Sequence, residues 1–204
     1  MGKVTENKQQ KERSLLDTAF RLFTSKGIAK TSISDIVEQA GMAKGTFYLY
    51  FRDKYDLQDR LIDHKAEVLF RHALAAAVQS NAMTSEEQII ALVDDILMEL
   101  QRDRLLLRFI NMNLSWAVFR HALSRSKVDY LAEVRRILNS RGERWMAQEM
   151  MLYTIIALVG AASHSVILDG DPADLETYKP WLFRSIRAIM DSHRVKSGDK
   201  LFPN

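Results

Sequence analysis

The sequence predicts an all-α protein, and three observations support that prediction. The 204 residues include only 3 prolines and 8 glycines, so few positions interrupt a helix. Apolar residues recur every three or four positions along most of the chain, which is the spacing of one helix face. The apolar–polar alternation of a half-buried strand is almost absent.

Composition limits the class of protein further. The content of 47% hydrophobic and 27% charged residues is ordinary for a soluble chain of one or two domains. The absence of cysteine excludes disulfides, thiolate catalysis and Cys-based zinc sites, and fits a cytoplasmic protein. The polar N-terminus has no apolar core, so no secretory signal is expected. No run of about eighteen apolar residues is evident, so no membrane span is expected.

Charge is distributed unevenly along the chain. Residues 1–52 carry nine Lys and Arg against five Asp and Glu, whereas the whole chain has a net charge of only +3. A basic N-terminal part on a nearly neutral remainder permits nucleic-acid binding, although a solvated basic face gives the same excess.

Two helices are predicted first. Residues 8–26 carry a regular apolar stripe, and Gly27 follows as a C-terminal cap. The segment Ser32–Asp35 has the form of a capping box with Asp as the acid, so a second, short helix begins there and ends at Gly41. A helix of about two and a half turns must pack on its neighbours to be stable.

The segment Met42–Phe51, MAKGTFYLYF, is predicted to form a third helix from about Lys44 to Phe51. With the tight turn before it, this makes a helix-turn-helix unit. Helical geometry places Phe47 and Phe51 on one inward face, which the two tyrosines flank. The residues that point away are Gly45, Thr46 and Leu49.

That outward face has the chemistry of a major-groove contact. Gly45 lets the backbone approach closely, and Thr46 can donate to a phosphate or base and touch a thymine methyl. Tyr48 and Tyr50 can donate their hydroxyls to phosphates. The competing interpretation is a packed aromatic helix without a binding role.

Residues 8–60 resemble the N-terminal domain of the TetR/AcrR family of one-component bacterial transcription regulators. The matching positions are Leu22, Phe23, Gly27, Thr31–Val37, Ala40, Gly41, Lys44–Phe51 and Asp53–Leu57. The resemblance covers about a quarter of the chain. It implies an N-terminal three-helix helix-turn-helix DNA-binding domain, residues 1–54, and a C-terminal helical ligand-binding and dimerisation domain, residues 55–204.

The resemblance also implies roles for single residues. Ser32 and Ser34 would meet phosphates or base edges. The residues in or beside the major groove would be Lys44, Gly45, Thr46 and Leu49. Those that clamp the DNA backbone would be Tyr48, Tyr50 and Lys54. Two positions depart from the family pattern, which often has His where Tyr50 stands and an aromatic residue where Leu49 stands.

Further helices are predicted along the rest of the chain. Asp53 caps a helix that runs to about Gln79, and Thr84 with Glu87 caps the next. An apolar run at 103–121 and helices at about 127–139, 143–168 and 177–193 follow. The last helix is predicted to begin at about residue 177, because proline is tolerated in the first turn of a helix and Pro180 must lie there.

The two C-terminal helices are the predicted subunit interface. From Met150 to Leu168 the chain is apolar nearly all round, which requires cover on several sides. We therefore expect segments 150–168 and 177–193 to form half of a four-helix homodimer interface, the alternative being an internal core. A dimer would set two recognition helices about 34–36 Å apart, or a multiple, over a roughly palindromic operator.

A small-molecule effector is expected in an apolar pocket between the middle helices. Aromatic and Met side chains suit such a pocket, although at helical spacing they also build plain cores. The candidates are Phe109, Met112, Trp116, Phe119, Met150 and Tyr153, with Asn113, His121 and His164 as polar groups that could orient a ligand.

No enzyme motif is found. The chain has no glycine-rich phosphate loop, no His-Glu-x-x-His and no Gly-x-Ser-x-Gly, so no catalytic residue, metal or cofactor is expected. Three hypotheses remain, which are a ligand-responsive DNA-binding repressor, a helical small-molecule sensor or carrier without DNA binding, and a helical enzyme. The set of residues from Lys44 to Lys54 favours the first.

Overall fold

The structure is a computed structural model that describes the backbone of residues 3–113 and 128–195, and side chains of residues 6–111 and 128–195. The described residues form helices and no strand, apart from one bridge between Trp145 and Arg194. The predicted all-α fold class is confirmed.

The first three helices form a small head. They are α1 (Lys3–Lys26), α2 (Ile33–Gln39) and α3 (Lys44–Tyr48). Helix α1 begins five residues earlier than predicted, because residues 3–8 contain no helix breaker. Helix α3 ends three residues earlier than predicted, but Phe51 N–H still donates to Phe47 O at 3.0 Å. Phe47 and Phe51 are both buried, as predicted.

Capping side chains set most of the other helix starts, because a side-chain oxygen there accepts from backbone N–H groups that have no partner within the helix. Asp53 accepts from the backbone of Tyr55 and Asp56, and Thr84 forms a complete capping box with Glu87. The helices that follow are α4 (Lys54–Gln79), α5 (Ser85–Arg102), α6 (Arg104–Asn113), α7 (Tyr130–Asn139), α8 (Gln148–His164) and α9 (Leu175–His193), with a π-helical turn at Ser165–Asp169.

Helix α4 packs along α5 and also contacts α1, and α1 in turn contacts α6. One continuous hydrophobic core therefore joins the head to the remaining helices. The domain boundary predicted after residue 54 coincides with the first residue of α4, and it stays a prediction.

The helix predicted over 143–168 begins at Gln148 instead. Residues just before it pair in extended form with the end of α9, where Met146 N–H donates to His193 O at 2.7 Å. Trp145 is buried and its Nε1–H donates to Leu138 O at 2.8 Å. Ala147 then turns into α8 with φ of +46°. These long-range contacts outweigh the local helical pattern of the segment.

Helix α9 also begins earlier than predicted. Asp174 caps it by accepting from Thr177 N–H at 2.8 Å, so the first helical residue is Leu175. Pro180 consequently lies in the second turn. The cap decides the start, and one missing N–H near the helix end is tolerated.

The expectation that no stretch could span a membrane is wrong in terms of length and composition. Gln148–Asp169 is a 22-residue helical stretch with a mean hydropathy of 1.9 over its most apolar window. Helices from the core of soluble proteins meet the same criterion. Only 39% of that window is buried within the chain, so much of its apolar surface faces outward.

Candidate DNA interface and ligand cavity

The outward surface of α3 is built from the residues that the sequence singled out. Tyr48 is 54% exposed and Leu49 is 75% exposed, while Lys44 and Gly45 are also exposed. Thr46 and Tyr50 are half-buried at the edges of this surface. On the other side of the helix the Phe47 ring packs at 5.5 Å from Phe51. The inward aromatic pair thus fixes α3 and leaves its opposite face to solvent.

Gly45 is not required by the fold of this chain. A Cβ built at Gly45 meets no atom within 4 Å, and its φ lies outside the left-handed region. Glycine in an exposed helical position costs up to about 1 kcal/mol relative to alanine. The packing and backbone conformation of this chain therefore give no reason for a glycine at position 45.

Helix α2 packs against α3, and its first turn is held by local hydrogen bonds. Ser32 Oγ accepts from Asp35 N–H, and Asp35 accepts from Ser32 N–H at 2.8 Å and from Lys26 Nζ at 2.9 Å. The hydrogen bond from the Ser32 backbone, followed by the one from Lys26, lowers the pKa of Asp35 from 3.8 to about 2. Ser32 and Ser34 are exposed there.

Lys54 occupies a different position from the one implied for a phosphate clamp. Its ammonium donates to the carbonyl oxygens of Ile28 at 2.9 Å, Thr31 at 3.1 Å and Ala29 at 3.4 Å. Lys54 therefore holds the start of α4 against the loop between α1 and α2. An ammonium has three N–H donors, and these three contacts engage them within the chain.

A cavity of about 370 Å³ lies among α4, α5, α6, α7 and α8. Its walls are almost entirely apolar, and Phe109 and Tyr153 are among the residues that line it. Their contact with a ligand stays a prediction. The polar or charged lining residues are Lys65, Asn111, Tyr153 and Ser163.

The other residues predicted to contact a ligand are not among the described residues that line the cavity. Met150 is 69% exposed and does not line the cavity, because its side of α8 faces away from the core. Trp116, Phe119 and His121 lie outside the described residues, as do the side chains of Met112 and Asn113. His164 lies next to the lining, with its Nδ1 3.0 Å from Asn111 Nδ2.

Sequence reasoning missed Lys65, the one charged residue among the described cavity residues. A signal was present, because Leu57, Leu61 and Leu69 mark the buried stripe of α4 at intervals of four and eight residues. Lys65 occupies the missing position of that stripe. A lysine on an otherwise apolar helix face indicates a charge directed into or along the core.

Within the described ranges there is no group of three or more His, Asp or Glu residues placed to hold a metal ion.

The head is a helix-turn-helix domain of the kind found in DNA-binding proteins, and comparison with known proteins identifies its family. Residues 15–61 match the family model of bacterial regulatory proteins of the tetR family. The head therefore carries the sequence of a TetR-family DNA-binding domain, in agreement with the resemblance to the TetR/AcrR family noted above.

Relatives and solved structures agree with that assignment. The HTH-type transcriptional regulator YvdT of Bacillus subtilis is 46% identical over 74 residues, which are 36% of this chain and 34% of YvdT. The match thus spans about a third of that relative. A tetR family transcription regulator from Shewanella sp. PV-4 has the same fold, with a TM-score of 0.72 and 18% identity over 91% of this chain and 99% of the other.

FadR from Bacillus subtilis, solved in complex with stearoyl-CoA, also shares the fold. Its TM-score is 0.63 at 17% identity, over 85% of this chain and 96% of FadR. The two-domain helical architecture predicted from the sequence is therefore confirmed.

Proposed function

We propose that this chain is a ligand-responsive transcriptional regulator, a repressor that binds a palindromic operator as a homodimer and is released by a small apolar or amphipathic effector. The observation that carries the proposal is the exposed face of α3. It combines a glycine that the fold does not require with Tyr48 and the three-quarters exposed Leu49. Such a face gains nothing within the chain and suits close approach to a major groove.

The DNA contacts follow from this placement. Gly45, Thr46 and Leu49 meet base edges, with Lys44 beside them in the groove. Tyr48 and Tyr50 donate to backbone phosphates on either side, and Ser32 and Ser34 do so from the start of α2. Lys54 acts differently, because it positions α4 against the loop before α2 through its three carbonyl contacts.

Dimerisation is supported by the apolar surface that α8 and α9 leave uncovered. Exposed residues on α8 recur at helical spacing, namely Met150, Tyr153, Ala157 and Ala161, and the last three lie where the cavity meets this surface. Trp181 of α9 is 62% exposed as well. A second copy of the chain, packed through segments 150–168 and 177–193, would cover this surface. The same pairing explains the apolar stretch Gln148–Asp169 without a membrane.

The effector site is the cavity beneath α4. Its volume of about 370 Å³ falls within the range of small-molecule sites, about 300–1,000 Å³. The complex of B. subtilis FadR with stearoyl-CoA supports the proposal, because a protein of this fold binds a ligand with an apolar chain. Regulation, not catalysis, is the activity we propose, and the cytoplasm is where operator and effector would be met.

Selection of bound fragments from a random DNA pool, at moderate salt, tests the proposal. Recovery of an inverted repeat would support both DNA binding and the dimer. The Thr46→Ala variant should alter the recovered base preference, whereas Tyr48→Phe should weaken binding on all sequences alike. A folded, dimeric protein that recovers no fragment would favour the alternative function, a helical small-molecule sensor or carrier without DNA binding.

A further inference from the structure

The charge of Lys65 has no acidic partner in the part of the chain that the structure describes. Its Nζ lies over the ring of Phe20, 4.0 Å from the centroid, and the side chain is half-buried. Lys65 lines the cavity, where no other described lining residue carries a charge. The cavity thus combines one cation with walls that are otherwise nearly all carbon.

An aromatic face is a weak counterpart for an ammonium beside an apolar cavity. Cation–π contacts contribute about 0.5–2 kcal/mol, and the ring supplies no lone pair to the N–H donors of the ammonium. A carboxylate offers charge-assisted hydrogen bonds, which are about twice as strong as neutral ones. The group that best complements Lys65 is therefore an anionic oxygen acid.

We propose that the cavity binds an apolar carboxylic acid, with its carboxylate on Lys65 Nζ and its apolar body among side chains such as Leu69, Ile96 and Ile155. This inference rests on the proposed function in one respect, which is that the cavity is the effector site. Because Phe20 belongs to α1 of the head, the bound carboxylate would compete with a residue of the head for the same ammonium.

Calorimetric titration of the full chain tests the ligand class without DNA. The probes are octanoate and trans-cinnamate, each compared with its neutral amide. At least one acid should bind at least about tenfold more tightly than its amide, as a charge-assisted contact requires. Lys65→Met should abolish that preference and Lys65→Arg should retain it. Lys11→Met is the matched control, because it removes an exposed lysine of α1 and should keep the preference.

Three results would overturn the proposal. Neither acid binds, or acid and amide bind the wild-type chain equally, or the preference persists in Lys65→Met. Circular dichroism melting of each variant checks that it folds, and the acid–amide comparison on the wild-type chain decides even if Lys65→Met does not fold. Since no DNA is present, failure here is distinct from failure of the operator selection.

Discussion

The ring of Phe20 in α1 meets the ring of Phe109 in α6 edge to face, with centroids 5.4 Å apart and planes at 75°. Phe20 is part of the head, and Phe109 forms part of the cavity wall. Both side chains are buried. A direct packing contact therefore joins the cavity to the helix on which α2 and the rest of the head rest.

This contact predicts energetic coupling between the two rings. Edge-to-face aromatic pairs contribute about 0.5–1.5 kcal/mol beyond the area they bury. A double-mutant cycle of Phe20→Leu and Phe109→Leu, measured by urea unfolding, should therefore give a coupling free energy of that size. Each single change should lower the free energy of unfolding by about 1–3 kcal/mol. Strict additivity of the two changes would contradict a direct coupling between head and cavity wall.

Gly45→Ala separates folding from DNA binding. The added methyl group meets no atom within 4 Å, so the free energy of unfolding should stay equal or rise by up to about 1 kcal/mol. Affinity for the selected operator, measured by fluorescence anisotropy, should fall because the methyl group holds the backbone away from DNA.

Gly27→Ala is the contrasting control for that prediction. Gly27 has φ of +80°, so alanine there is strained and should lower the free energy of unfolding by about 1 kcal/mol. Its folded fraction should still bind the operator. If Gly45→Ala bound the operator like the wild-type protein, the proposed docking of α3 would be wrong.

Lys44 and Lys54 should respond differently to replacement by methionine. Lys54→Met removes three contacts to carbonyl oxygens, so the free energy of unfolding should fall by about 1–3 kcal/mol. Lys44 is exposed, so Lys44→Met should leave stability within about 0.5 kcal/mol. It should instead reduce the salt dependence of operator affinity by about one unit of slope. Equal stability of the two variants would argue against the positioning role of Lys54.

Several features of the fold could be predicted from the sequence, and others could not. The inward position of Phe47 and Phe51 and the capping side chains at Ser32, Asp53 and Thr84 follow from spacing and local hydrogen bonding, so the sequence predicted them. The resemblance to the TetR/AcrR family implied that Lys54 contacts a DNA phosphate. A lysine donates equally well to a phosphate or to a carbonyl, and only the folded loop at 28–31 shows which acceptors are near.

Features that depend on distant segments were not predictable in this way. Trp145 reads as part of a helix, yet its ring is buried beneath the guanidinium of Arg194, 4.8 Å from the ring centroid. The position of Lys65 in the apolar stripe of α4 places it along the core, but only the packing of α1 brings the ring of Phe20 to its ammonium. In both cases the deciding partner lies more than forty residues away in the chain.

The capping box of α2 predicts a pH-dependent contribution to stability. The pKa of Asp35 is lowered to about 2 in the folded chain from an ordinary value of 3.8. A depressed carboxyl pKa stabilises the fold above the unfolded value, and that contribution is lost as the pH falls toward the folded value. The difference in free energy of unfolding between the wild-type protein and Asp35→Asn should therefore shrink between pH 4 and about pH 2.

Urea unfolding at a series of pH values measures this difference. The wild-type protein alone would not isolate Asp35, because backbone hydrogen bonds to Asp53 and Asp174 lower the pKa of those carboxyls too. Both the wild-type protein and Asp35→Asn contain Asp53 and Asp174, so the contribution of those two carboxyls cancels in the difference. A difference that stayed constant across the range would mean that Asp35 is not ionised preferentially in the folded state.

The uncovered surface of α8 predicts that one charge can prevent dimerisation. Met150 is 69% exposed in the single chain and does not line the cavity, so Met150→Glu should leave the core of each subunit intact. In the proposed dimer the carboxylate would be buried without a partner, which costs several kcal/mol. The subunit interface should weaken enough for light scattering coupled to size exclusion to detect monomer at micromolar concentration.

Met83→Glu is the matched control, because Met83 is 75% exposed in the loop before α5 and lies outside segments 150–168 and 177–193. It should remain dimeric with unchanged operator affinity. Met150→Glu should lose operator affinity together with the dimer, since one recognition helix then contacts only one half-site. A Met150→Glu protein that stayed dimeric would place the subunit contact on another surface, and the apolar face of α8 would then need a different partner.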